Sequence, residues 1–378
     1  MNPGKKIEHF IKNLMTKILR GALEQEPRKL QPPYNRILFF RFDVLGDMIL
    51  SFPVYSATRE ASPGVRIDVL CSRKNVILLQ DTTLVDGLLI ADKNPLTWMK
   101  LIYRMRKRKY DVIINLVTHP SFTFGLIARL GGPDAVRIAG DQEKFSYFYN
   151  RNIELPPKTD IHMMKRKFLV CQDFISQDLS NIKTPWVDYS PEIKNRAKKL
   201  FENALNNLRI GPDMKKLAAI NLSAGMDRRE WPVDKYVEYL KVQIKKYDAE
   251  IGGWVVFTDP GKPEKTRYLL EQLNQDRDYP FKRCITDLPP QSDFRVIMEF
   301  LPFIAVLLTP DTSIAHAASA MGTPLLVMTI GENKTVWDPI GVTSRIIFSE
   351  ELYSLENLPV EQVVDEFDRL MSDILSKK

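Results

Sequence analysis

The sequence predicts an α/β protein made of two doubly wound parallel-sheet halves, and three observations carry that expectation. From residue 36 onward, short apolar runs alternate with helical stretches. The runs are continuously apolar rather than alternating, as in strands covered on both faces. The rhythm breaks once, over a polar stretch within 175–215, and then starts again. A chain of 378 residues also exceeds one ordinary compact domain and fits two of moderate size.

In the first half the run RILFFRF (36–42) precedes a helix ending near Ala61. RIDVLCS (66–72) and LVDGLLIA (84–91) follow, then a basic helix containing YRMRKRKY (103–110). DVIINLV (111–117), an apolar helix near 122–131 and VRIAG (136–140) complete the series. The second half reads LAAINLS (217–223), a helix from Val233, GWVVFTD (253–259), a helix from Glu264 and a short strand near Cys284. AVLLTP (305–310), a further helix and PLLVMTI (324–330) close it. The segment DYSPEIKNRAKKLFENALNNL predicts a helix joining the halves. The expected divisions are a basic amphipathic segment over 1–35, an N-terminal domain over 36–190, a C-terminal domain over 191–357, and a closing helix within 358–378 that braces the first half.

With 44% hydrophobic and 27% charged residues, the composition is that of a soluble globular chain. No apolar run is long enough to span a bilayer, and the N-terminus lacks a signal-peptide block, which predicts a cytoplasmic protein. Cys71, Cys171 and Cys284 are too few and too scattered for a disulfide framework or a cysteine-built metal site. The net charge of +7 implies acidic partners. In residues 1–20, Ile7, Phe10, Ile11, Leu14, Met15, Ile18 and Leu19 recur at helical spacing among Lys5, Lys6, Lys12, Lys17 and Arg20. Together with the basic cluster at 104–109, this helix suits an anionic membrane surface at the inner face of the cytoplasmic membrane; a helix docked on its own domain plus a solvated basic face is the other reading.

Three strand-to-helix loops carry chemistry. In FFRFDVLGDMILSFP (39–53) an apolar strand runs into Arg41, Asp43 and Asp47. Such a loop is a candidate ligand site in an open parallel sheet, unless the two carboxylates merely cap a helix and solvate a turn. In LLTPDTSIAHAASAMGTPLLVM (307–328), Asp311, Thr312 and Ser313 stand at a helix start. There the unpaired N–H groups and helix dipole favour an anion, and His316 lies in the first turn. In INLSAGMDRREWPVDKY (220–236), Ser223, Arg228 and Arg229 precede Trp231-Pro232. An arginine here grips phosphate oxygens in a bidentate fork; in the plainer reading Trp231 seats the helix on the core and Arg228 faces water.

These three motifs, with VWDPIG (336–341), resemble the ADP-heptose:lipopolysaccharide heptosyltransferases, the ninth glycosyltransferase family, in order and approximate spacing across residues 36–375. The resemblance implies a GT-B arrangement of two Rossmann-like domains facing across a cleft, with the nucleotide sugar on the C-terminal half and the acceptor largely on the N-terminal half. It places the catalytic base on Asp47, donor contacts on Arg229, Asp311, Thr312, Ser313 and His316, and no cofactor beyond a nucleoside-diphosphate sugar substrate, ADP-heptose. Ser223 and Glu264 join the donor set by position, and Asp43 is assigned to the acceptor or to holding Arg41. Three departures stand out: Ser313 replaces a glycine, Arg229 stands where lysine is commoner, and LSAG (222–225) replaces a PGAS-like loop.

The implied chemistry is an inverting transfer to a glycolipid or cell-surface glycan hydroxyl. It needs no metal, and the sequence offers no convincing Asp-x-Asp pair at a strand end and no His/Cys cluster at ligand spacing. A non-catalytic nucleotide-sugar binder, or a family member using another nucleotide sugar or acceptor, stays open. A nucleic-acid binder is disfavoured, because the basic residues gather in two places rather than along a stripe with stacking aromatics. His119 and His162 carry no assignment.

Overall fold

Each half is built on one six-stranded parallel sheet whose strand order reverses once. The computed structural model describes residues 26–92, 94–117, 119–175, 187–211, 217–276, 279–331, 336–351 and 353–377. The amphipathic helix expected over residues 1–20 lies outside these. The chain divides into two units, Met1–Ile182 and Lys183–Lys378.

In the N-terminal unit the strands are β1 (Arg36–Arg41), β2 (Arg66–Ser72), β3 (Gly87–Ala91), β4 (Val112–Asn115), β5 (Val136–Gly140) and β6 (Arg151–Ile153). Their order is β3-β2-β1-β4-β5-β6, all parallel. The helices are α1 (Leu45–Ile49), α2 (Phe52–Ala61), α3 (Pro95–Arg108), α4 (Phe122–Gly131) and α5 (Met163–Val170). β1 and β4 are central, and Ile37 to Phe40 and Ile113 to Ile114 are wholly buried, as the unbroken apolar runs require.

The C-terminal unit repeats the plan. It opens with α6 (Pro191–Leu208), whose apolar stripe of Ile193, Ala197, Leu200, Ala204 and Leu208 is buried. Its strands are β7 (Leu217–Asn221), β8 (Gly253–Phe257), β9 (Ile285–Leu288), β10 (Ile304–Pro310), β11 (Leu325–Thr329) and β12 (Ser344–Phe348), in the order β12-β11-β10-β7-β8-β9. The remaining helices are α7 (Val233–Lys246), α8 (Pro263–Asn274), α9 (Phe294–Phe300), α10 (Ser313–Ala320) and α11 (Val360–Leu375). Both sheets therefore reverse between their first and fourth strands, β1/β4 and β7/β10. The crevice outside the C-terminal strand ends at such a point is where open α/β sheets take ligands.

One expectation needs correcting. The closing helix, placed within 358–378 and expected to brace the first half, packs inside the C-terminal unit. Val363, Phe367, Leu370 and Met371 are buried in that unit's core, where the Phe367 ring meets Tyr239 and Trp254 at 5.6 and 5.8 Å. Asp368 fixes its register by accepting from Lys246 at 2.6 Å and from Tyr247 at 2.9 Å. A stripe that apolar is satisfied by the core beside it. Trp231 likewise belongs to this core. It is buried against Tyr236 and donates from Nε1 to the Leu358 carbonyl at 3.0 Å.

Candidate functional site

At the switch point of the N-terminal sheet, β1 ends in an arginine with no solvent exposure. Arg41 donates from Nε to the Asp47 backbone carbonyl at 3.0 Å and from Nη1 to Asp43 Oδ2 at 2.8 Å. Its Nη2 makes an ion pair with Asp47 Oδ1. The same Nη1 reaches the Leu116 carbonyl just beyond β4, so one guanidinium ties the loop to both central strands. Asn75 holds the loop from the other side, donating from Nδ2 to the carbonyls of Arg41 and Asp43 at 3.0 and 2.9 Å. Neither carboxylate caps a helix: the residue before α1 is Val44, without a side-chain cap, and Asp47 sits inside α1's first turn. The loop has thus gathered two carboxylates that keep a small exposed surface around one buried cation.

Burial pushes the Asp43 carboxyl above its ordinary value. Arg41 opposes that rise, and the charge of Asp47 adds to it. His119, unassigned in the sequence, approaches Asp43 with Nδ1 3.9 Å from Oδ1. His162 instead caps α5, its Nδ1 accepting from the Met164 N–H at 3.1 Å.

The residue that sequence reasoning missed is Lys167 on α5. It is almost wholly buried, and Nζ donates to the Met163 carbonyl at 3.5 Å. Burial pushes this ammonium down to about 7, Arg41 adds to the fall, and Asp47 and Asp43 resist it. A signal existed: in HMMKRKFLVC, Lys167 occupies a helical core position in register with Met163 and Val170.

At the switch point of the C-terminal sheet, Asn221 ends β7 and organises the neighbouring loops. Its Nδ2 donates to the Ser223 carbonyl at 3.1 Å, to Thr309 Oγ1 at 3.0 Å and to Thr312 Oγ1 at 3.4 Å. Its Oδ1 accepts from the Ser223 N–H at 3.2 Å. Ser223 and Thr312 are thereby brought to one place. Thr312 is the N-cap of α10, yet its side chain makes no capping bond. The first-turn N–H groups that begin at Ser313 therefore lack the side-chain acceptor that a helix start ordinarily has. Arg229, at the end of a 3-10 turn over Asp227–Arg229, points Nη1 at Asp311 Oδ2 from 3.5 Å, while its buried Nε has no partner. An unpaired buried donor beside an uncapped helix start is the arrangement an anion completes. His316, one turn into α10, lies against Trp337 with ring centroids 5.9 Å apart. Ser319 pins that segment by exchanging hydrogen bonds with Ile340 at 2.9 and 3.0 Å.

Glu264 stands apart. It is exposed in the first turn of α8, and among the described residues it makes no hydrogen bond or ion pair. Its neighbours Lys262 and Lys265 turn to Glu230, which accepts from Lys262 at 2.9 Å and pairs with Lys265. Burial alone would raise Glu230, but the two lysines outweigh it and hold the carboxyl below its usual range. Glu230 Oε1 also accepts from the Ala224 N–H at 3.4 Å, which steadies the loop that carries Ser223 and Arg229.

Two Rossmann-like halves, the second with an anion-ready helix start, define an α/β protein of the GT-B class. The family model described as glycosyltransferase family 9 (heptosyltransferase) matches residues 98–365. The chain belongs to that family and is a glycosyltransferase. Among solved structures it is similar to the family 9 glycosyl transferase of Veillonella parvula DSM 2008, with 17% identity and a TM-score of 0.73, over 91% of this chain and 99% of that one. It is similar to the ADP-heptose lps heptosyltransferase II of E. coli, with 19% identity and a TM-score of 0.70, over 90% and 99% of the chains. The E. coli heptosyltransferase WaaC, solved with ADP, matches with 17% identity and a TM-score of 0.64 over 89% and 98%. At these identities the structural likeness establishes the fold. No curated protein matches the chain by sequence.

Proposed function

We propose that this glycosyltransferase moves a heptose, with inversion and without a metal ion, from a nucleoside-diphosphate donor of the ADP-heptose kind to a hydroxyl of a lipopolysaccharide-core-type or other cell-surface glycan. The observation that carries the donor side is the uncapped start of α10 beside the unpaired Nε of Arg229. A diphosphate placed there accepts from the first-turn N–H groups at Ser313, from the hydroxyls of Ser223 and Thr312, and from the Arg229 guanidinium. These donors are fixed before the reaction and hold the charge that develops on the leaving group, the task a divalent ion performs elsewhere. His316 and Trp337 flank this place. Glu264, being unengaged, is the group left to meet the donor's nucleoside. One relative, WaaC, has been solved with ADP and with ADP-2-deoxy-2-fluoro heptose, which supports a nucleotide sugar as substrate.

On the acceptor side Asp47 takes the hydroxyl proton. As that O–H bond breaks, the oxygen forms a bond to the anomeric carbon, and the bond to the diphosphate breaks with its electron pair leaving on phosphate oxygen. Arg41 fixes the direction of the Asp47 carboxylate. Asp43 supports a second reading, in which it takes the proton itself, because its carboxyl is raised by burial and a more basic carboxylate is the better proton acceptor. Thermal shift with ADP and with ADP-heptose, each with magnesium or with EDTA, tests the donor side. Equal stabilisation in both conditions is expected, and stabilisation confined to magnesium contradicts the metal-free reading. Comparing turnover of Asp47→Asn and Asp43→Asn assigns the base.

A further inference from the structure

The helix α3 of the N-terminal unit exposes apolar side chains that the fold does not use. Leu96, Met99 and Tyr103 are 72%, 72% and 67% exposed. At about 100° per residue they fall within a sector of roughly 60° on one side of the helix. Lys100, Arg104 and Lys107 border that stripe on one flank and Arg106 on the other. The opposite side holds α3 in place through the buried Leu101 and Met105 and the half-buried Trp98 and Ile102. The helix contains no acidic residue. Arg108 pairs with Asp68 at 2.7 Å and Arg106 donates to the Leu130 carbonyl at 2.7 Å. Among the described residues, Lys100, Arg104, Lys107 and Lys109 make no ion pair.

The C-terminal end of α3 borders an open pocket of about 720 Å³, lined among others by Arg28, Lys29, Arg106 and Lys109. Two acids line it as well, Asp111 and Asp134. Asp111 is engaged, accepting from the Asn35 and Arg36 N–H groups at 2.7 and 2.9 Å. This pocket lies at the N-terminal ends of β1, β4 and β5, the opposite end of the sheet from Arg41 and Asp47. Contact at the pocket therefore leaves that loop open.

We infer that the outer face of α3 and the pocket at its end dock on an anionic lipid bilayer. Leu96, Met99 and Tyr103 enter the boundary between headgroups and acyl chains, and the flanking cations and the pocket take lipid phosphate. An amphipathic helix lying in the interface has this division: a narrow apolar stripe, a cationic collar and no acid. The contact is peripheral, since no described helix is long and apolar enough to cross a membrane. A nucleic acid would ask for several stacking aromatics, and this face offers one tyrosine. The inference stands on α3 and the pocket and is independent of the sugar transferred.

The test is co-sedimentation of the full chain with vesicles of phosphatidylcholine, with and without phosphatidylglycerol. The chain should pellet with the anionic vesicles and stay in solution with phosphatidylcholine alone. Changing Lys100, Arg104 and Lys107 together to Gln should weaken binding by about two orders of magnitude, from roughly fivefold per charge. The triple change Leu96→Ser, Met99→Ser and Tyr103→Ser should remove the binding that survives high salt. Unaltered melting temperatures, expected for exposed side chains, keep both variants interpretable. Equal pelleting with both vesicle types, undiminished binding by both variants, or an α3-dependent dimer in sedimentation velocity would each overturn the inference.

Discussion

The buried guanidinium of Arg41 binds Asp47 twice, once through the backbone carbonyl at 3.0 Å and once through the carboxylate. One residue thereby fixes both where the loop runs and where its acid points. Replacing Arg41 with Met strands two largely buried carboxylates without their cation. Urea denaturation should show a loss of about 3–5 kcal/mol, the usual result of removing one partner from a buried pair. A loss near zero would mean that Arg41 does not organise this loop.

Arg229 is the cation of the donor side, and its Nε lacks a partner. Arg229→Ala should weaken ADP binding by about 10- to 150-fold, corresponding to the roughly 1.5–3 kcal/mol of a charged hydrogen bond. Arg229→Lys should recover part of it, since it returns the charge without the fork. Calorimetric titration with ADP checks both, and unchanged affinity in Arg229→Ala would remove this residue from the site.

Lys167 gives the folded state a pH signature. Its folded value of about 7 lies below the value near 10.4 of an exposed lysine, so between these the unfolded chain binds more protons. Stability from this group therefore rises with pH from about 7 to about 10 and is lowest, and flat, below that window. The stability of the wild type relative to Lys167→Met should increase across the window in urea titrations. A difference independent of pH would mean that the ammonium is not held in a desolvated place.

The closing helix makes the C-terminal core dependent on Phe367, which is wholly buried among aromatic rings. Phe367→Ala should cost about 3–5 kcal/mol through lost transfer energy and the cavity left behind. Thermal unfolding measures it, and a cost below about 1 kcal/mol would contradict the packing described.

Much of this was legible in the sequence because central parallel strands must be apolar on both faces, which makes RILFFR and AVLLTP unmistakable. Of the four edge strands, β3 and β9 were readable and β6 and β12 were not: β6 has three residues, two of them polar, and β12 is mostly half-exposed and carries Arg345, paired with Glu366 and Asp373. The short helices α5 and α9 were missed for want of length, and Lys167 with the first of them. The three loops were readable as strand ends followed by helix starts. What the one-dimensional pattern hid was their support: Asn75 and Asn221 reach loops remote in sequence, Glu230 is held by Lys262 and Lys265 from another helix start, and no local spacing announces that.

The most direct measurement of the central claim is transfer by Asp47→Asn from ADP-heptose to a lipopolysaccharide-core acceptor in EDTA, alongside its affinity for ADP. With the carboxylate removed and the donor side intact, kcat should fall by about 10²- to 10⁴-fold while ADP affinity stays within about twofold. Turnover close to that of the wild type would show that this carboxylate does not take the acceptor proton.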